Sequence, residues 1–218
     1  MKQYSSVIYD LDGTLIDTRS GVKQAVVKTV EDLRLIMLPD AIIEQFVGPP
    51  MQDSFEKYYN FDKDRSLQAA NLFRDNYRQY FLFEAQLYPG IIDLLAFQKS
   101  NGINIAVGTN KSHDNAVQIL KHFGISIYCT YIKGADRNGV LTKAEIIKDC
   151  IKEMNAEPFE TLYIGDSTYD SDGAAIANID FLAVTYGFGF QTEADLSRIR
   201  HIGVCGTISE IKDYFRGK

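Results

Sequence analysis

Asp10 and Asp12 stand two residues apart, behind the apolar run Val7-Ile8-Tyr9 and ahead of Gly13 and Thr14. A strand over residues 7–10 has a period of two, so both carboxylates project toward one side, and Gly13 lets the backbone break away beyond them. Carboxylates held side by side repel, and a cation or a shared proton must relieve them. A solvated turn at a strand end has the same local pattern. The rest of the chain decides between the two.

Three more stretches offer polar chemistry: Thr109-Asn110-Lys111 behind Ile103–Val107, Lys143 behind Thr142, and Asp166 with Asp170 behind Thr161–Ile164. From Tyr88-Pro89-Gly90 onward, short apolar runs alternate with helical spacings. Strands are expected over 103–107, 127–132, 161–164, 181–184 and 201–205, and helices end at Gly102 and Gly124 or run over 142–154 and 170–178. Thr207-Ile208-Ser209-Glu210 reads as a capping box opening a terminal helix. This alternation predicts a parallel sheet covered on both faces, to which the first strand belongs. Residues 16–85 read instead as helical throughout, with Asp17 or Thr18 as the first cap and a long helix over 64–83. The expected organisation is an α/β core of residues 1–15 and 86–218 with a helical insertion, 16–85, after strand one.

In such sheets functional residues collect at the carboxyl ends of the strands. The groups there suit phosphoryl transfer, which needs charge neutralisation, an in-line nucleophile and an acid for the leaving oxygen. Asp10 is the candidate nucleophile, able to form an aspartyl-phosphate. Asp12 is placed to protonate the leaving oxygen and then to activate water. Magnesium prefers hard oxygen ligands, and Asp10, Asp12, Asp166 and Asp170 make up its candidate set. Asp10 and Asp166 would bind directly, Asp170 directly or through water. Lys143 supplies a point charge for the phosphoryl oxygens, and Thr109, with Asn110 and nearby backbone N–H groups, supplies hydrogen bonds. Bland readings stand beside these. Asp170 could be a helix N-cap, Lys133 is a rival to Lys143, and Lys111 is either a solvated neighbour or a second phosphate contact. His113 has no role in such a mechanism.

Composition narrows the setting. The 218 residues carry a net charge of −6 and no basic run, which speaks against a nucleic-acid polymer as partner. Cys129, Cys150 and Cys205 are an odd set without metal-ligand spacing, as expected of reduced thiols in a cytoplasmic protein. The polar start Met1–Ser6 argues against a signal peptide, and no apolar run reaches the length of a membrane span.

Asp10-Leu11-Asp12-Gly13-Thr14-Leu15 resembles the first motif of the haloacid dehalogenase superfamily of phosphatases. Thr109, Lys143 and Gly165-Asp166-Ser167-Thr168-Tyr169-Asp170 resemble its second, third and fourth motifs, and Val184-Thr185-Tyr186-Gly187-Phe188-Gly189 resembles the segment that follows. The resemblance spans the chain. It implies a Rossmann-like α/β core with a helical cap after the first strand, magnesium as cofactor, and a small phosphorylated metabolite as substrate, in a monomer or homodimer. Asp12 favours a phosphatase over a dehalogenase, which lacks that acid. The branch is the phosphoglycolate phosphatases and their 5′-nucleotidase-like neighbours. Gly48-Pro49-Pro50-Met51 with Phe55, and Leu141-Thr142-Lys143-Ala144-Glu145, look more like the latter. Among Tyr58, Tyr59, Phe61, Tyr77, Tyr80, Phe81 and Phe83, most are expected in the cap core and one or two against a substrate ring. A sugar-phosphate mutase and a non-catalytic phosphoacceptor protein remain as alternatives.

Overall fold

The computed structural model describes residues 2–136, 141–190 and 192–216. It divides into two compact units, Met1–Asp17 with Leu87–Lys218, and Thr18–Gln86.

In the larger unit β1 (Ser6–Tyr9) is followed by the short β2 (Ile16–Asp17), where the chain leaves for the helical unit. That unit holds α1 (Arg19–Asp32), α2 (Asp40–Ile43), α3 (Met51–Tyr59) and α4 (Lys63–Asn76). The chain returns through β3 (Gln86–Leu87), α5 (Ile91–Ser100), β4 (Asn104–Ser112), α6 (His113–His122), β5 (Tyr131–Ala135) and α7 (Lys143–Glu153). It ends with β6 (Thr161–Gly165), α8 (Thr168–Ile176), β7 (Asp180–Val184), α9 (Glu193–Ser197), β8 (Gly203–Cys205) and α10 (Ile208–Phe215). Six strands form one parallel sheet in the order β5-β4-β1-β6-β7-β8. The chain runs outward from β1 on one side, then returns to build the other. The switch in direction therefore falls at β1, where α/β sheets place their ligand crevice.

Alternation along the strands sorts the core. Ile8, Ala106, Tyr163 and Ala183 share a buried layer with Ile147 and Cys150 of α7 and Ala174 of α8. Tyr9 faces the opposite way, and its hydroxyl donates to Gln98 of α5 at 3.0 Å; α10 packs on α5. In the helical unit Phe46, Phe55, Tyr58, Tyr59 and Phe61 form a chain of ring contacts 5.3–6.2 Å apart. Tyr80 and Phe83 are among its exposed rings. No helix of the described residues is long and apolar enough to cross a membrane.

Several elements differ from expectation. The helix expected over 64–83 is regular only to Asn76, and Tyr77–Phe81 widens into a π turn. The strand expected over 127–132 starts at Tyr131, because local turns (Tyr128 N–H to Ile125 O, Cys129 N–H to Ser126 O) take up the preceding residues. Residues 108–112, beyond the strand expected over 103–107, continue β4. They pair with β5 through Thr109 and Ser112, with a register shift between these two. At α10 only half of the capping box forms. Thr207 Oγ1 accepts the Glu210 N–H, but Glu210 Oε2 accepts from Gly206 N at 2.7 Å.

Candidate active site

The registers align Tyr9 with Val107 on one side and Ile164 on the other. Asp10 thus stands one step beyond, between the rows of Gly108 and Gly165, and its amide still donates to Ile164 O at 2.9 Å. Alternation turns its side chain to the Ile8 face, the one covered by α7 and α8.

Lys143 reaches it from the first position of α7. A reciprocal capping box between Thr142 and Glu145 fixes where that helix begins. The Lys143 ammonium is 2.7 Å from Asp10 Oδ1, 2.7 Å from Asp170 Oδ1 and 3.0 Å from Tyr163 Oη. The residue is only 8% exposed. Asp170 is not the N-cap of α8: Ser167 caps it, and Asp170, third residue of the helix, closes a reciprocal capping box with it. Its Oδ2 accepts from the Ser167 N–H at 3.1 Å and the Ser167 hydroxyl at 2.6 Å.

Asp166 follows directly on β6. Its Oδ2 accepts the N–H groups of Phe188 and Gly189, both at 2.9 Å. The backbone closes around this carboxylate so tightly that a Cβ at Gly13 would lie 2.1 Å from Oδ2, and one at Gly187 2.3 Å. Gly13 also has φ +81°, a region that favours glycine. Both glycines are therefore required by the packing of one acid.

Among the described residues, Asp10, Asp166 and Asp170 form a buried group whose oxygens lie within 4.8 Å of one another. Three hard oxygen donors at that spacing fit a divalent cation such as magnesium. Asp12, the fourth acid of the expected set, is outside the group; Lys111 Nζ lies 2.9 and 3.1 Å from its two oxygens. Thr109 is buried beside them, its Oγ1 accepting the Lys111 N–H at 3.2 Å, while Asn110 is exposed. Lys133 pairs with Asp149 at 2.6 Å, and His113 Nδ1 accepts from Gly134 N.

Burial and the neighbouring acids govern the charge of this cluster. Burial pushes the Asp166 carboxyl up to about 8, with the charges of Asp170 and Asp10 adding to it against the two amides. Asp10 rises to about 7, chiefly through burial and against the pull of Lys143. For Lys143 burial alone would lower the pKa, but Asp10 and Asp170 outweigh it and hold the ammonium charged. Three acids face one lysine, so negative charge is in excess. In the folded cation-free protein Asp10 and Asp166 keep protons that the unfolded chain gives up near its ordinary 3.8. Stability from these groups is thus full below that value and is lost as pH rises through about 7 and 8. Thermal melts in chelator should fall between pH 5.5 and 8. Magnesium in hundredfold excess over its Kd at pH 8 should restore about 2.7 kcal/mol, or roughly 5–10 °C. A melting temperature that rises over this interval in chelator contradicts the account.

Tyr163, the Phe188 and Gly189 amides and the Lys111–Asp12 pair were not apparent as site features from sequence. One signal was present: a phenol inside the apolar strand Leu162-Tyr163-Ile164 needs a buried partner.

With this geometry in place, comparison with known proteins gives a consistent result. A family model described as haloacid dehalogenase-like hydrolase matches residues 7–184. A 5′-nucleotidase of Pseudomonas aeruginosa is 31% identical, over 92% of this chain and 96% of its own. The tyrosine-protein kinase PtkA of Mycobacterium tuberculosis is 28% identical, over 95% of this chain and 71% of its own. The solved structure of a haloacid dehalogenase-like family hydrolase from Streptococcus pneumoniae superposes with a TM-score of 0.88 at 30% identity, covering 98% of this chain and 99% of the other.

Proposed function

The chain belongs to the haloacid dehalogenase-like hydrolases and is a phosphatase, and from that premise we propose a magnesium-dependent phosphomonoesterase working through phospho-Asp10, with 5′-nucleotides as its first substrate class. The observation that carries this reading is the junction of Lys143 with Asp10 and Asp170 beside Asp166, at the switch point of the sheet.

Asp10 attacks phosphorus as the bond to the ester oxygen breaks, and Asp12 gives that oxygen its proton. Asp12, now ionised, takes a proton from water, which attacks the phosphoryl group and breaks its bond to Asp10. Lys143 and Thr109 hold phosphoryl oxygens, and Lys111 orients Asp12. Magnesium would be held by Asp10 and Asp166. Asp170 already engages Lys143 and Ser167 through its oxygens, which favours contact through water. When bound, the ion supplies positive charge that keeps Asp10 ionised as a nucleophile at neutral pH and neutralises the phosphoryl group. The helical unit Thr18–Gln86 is the proposed cap. Two features support the nucleotide class: the Gly48-Pro49-Pro50-Met51 pattern and the name of the 31% identical relative.

Phosphate release from 5′-nucleotides, phosphoglycolate and sugar phosphates, with magnesium and with chelator, tests the reading. Release led by 5′-nucleotides and abolished by chelator is expected. Preference for phosphoglycolate would move the substrate class while keeping the mechanism. If label from ¹⁸O-water stays out of the product phosphate, or a phosphorylated protein accumulates without turnover, hydrolysis is wrong.

A further inference from the structure

Lys143 has more partners than its expected role requires, and one of them is a neutral phenol. An ammonium has three protons on a flexible four-carbon stem. Here four acceptors surround it: Asp10 Oδ1, Asp170 Oδ1, Tyr163 Oη and, at 3.4 Å, Gly108 O. The two carboxylates supply charge and would attract the ammonium from many directions. The phenol is different, because its own position is fixed twice over.

The first constraint is packing. Tyr163 is wholly buried in β6, in the layer of Ile8, Ala106 and Cys150, with its ring stacked on Phe181 at 6.4 Å between centroids. The second is its proton. Tyr163 Oη donates to Gly108 O at 2.7 Å and lies 3.3 Å from Asp170 Oδ1. One hydroxyl has one proton, and the shorter contact takes it. The oxygen's lone pair is then left to Lys143. A rigid ring tied to the β4 backbone thus gives the ammonium a close acceptor held in place, at 3.0 Å against 3.4 Å for Gly108 O itself.

We propose that Tyr163 is a positioning residue: its hydroxyl, anchored on Gly108 O, aims the Lys143 ammonium at Asp10 and Asp170. This rests on the reading of Asp10 and Lys143 as the reacting pair. The aimed group touches the attacking carboxylate and the phosphoryl oxygens at the reacting centre, and no outlying part of the substrate. The effect should appear chiefly in kcat, with a smaller change in KM.

Tyr163→Phe removes one oxygen and keeps the ring. Losing a hydrogen bond to a charged group should lower kcat about tenfold or more, with KM within about twofold. A second readout needs no turnover. In ¹⁵N-lysine-labelled protein the Lys143 ammonium, identified by its loss in Lys143→Arg, should exchange with water slowly in the wild type and at least about tenfold faster in Tyr163→Phe. Unchanged kcat with unchanged exchange overturns the proposal. So does a lowered melting temperature with both quantities unaltered per folded molecule, since the hydroxyl then serves stability alone. Failure of Tyr163→Phe to fold cooperatively overturns it in the same way. If the wild type hydrolyses no phosphomonoester, the functional reading fails, and the exchange comparison still decides whether Tyr163 holds the lysine.

Discussion

Asp10→Asn is expected to cut phosphate release by about 10⁴-fold or more, the scale seen when a covalent nucleophile is removed. The substitution exchanges a carboxylate oxygen for a neutral amide that cannot form the acyl phosphate, and it removes one of the three acids of the cluster. The fold should survive. The Asp10 amide bond to Ile164 O does not involve the side chain, and Lys143 keeps Asp170 as a charged partner. Stability should even improve without a cation. Burial and like charges raise both Asp10 and Asp166, so deleting one carboxylate relaxes the other. In chelator at pH 8 the variant should melt above the wild type. Initial rates on the best substrate, paired with melts in chelator, check both halves. Residual activity above about one per cent would remove Asp10 from the nucleophile's role.

The gathering of Asp10, Asp166, Asp170 and Lys143 was legible because it follows from elements that local sequence specifies strongly. Apolar runs of four or five residues mark the strands, alternation with helices implies parallel pairing, and parallel sheets bring strand ends to one edge. Lys143 could be located because Thr142 and Glu145 announce the start of its helix. Other features depend on partners distant in sequence. Gly108 to Ser112 has the composition of a turn, yet pairing with β5 keeps it extended. Phe73, Tyr77, Tyr80 and Phe81 keep helical spacing in the sequence, so periodicity does not reveal the π turn over Tyr77–Phe81. The donors on Asp166 are backbone groups of Phe188 and Gly189, which leave no side-chain signature. Lys111 and Asp12 are separated by most of a hundred residues, and neither motif alone indicates the ion pair.

Lys143→Met should act on the same cluster with the opposite sign. Methionine keeps much of the stem volume and removes the ammonium that the structure places against Asp10 and Asp170. Breaking a buried pair from one side costs about 3–5 kcal/mol, or roughly 6–20 °C for a chain of this length. The deficit should widen with pH. Without the pull of Lys143 the Asp10 carboxyl rises above its wild-type value of about 7, so the variant keeps a proton that the wild type has given up and loses stability as pH rises through the higher value. Magnesium should recover part of the loss, since it replaces charge but not the position of the ammonium, and turnover should stay about 10²–10³-fold low, as for loss of one oxyanion donor. The two variants together isolate the cause. If excess negative charge governs this site, Asp10→Asn raises and Lys143→Met lowers the melting temperature in chelator at pH 8, and the two converge on adding magnesium. If both fall by similar amounts, packing and not charge dominates, and the case for a cation drawn from this cluster weakens with it.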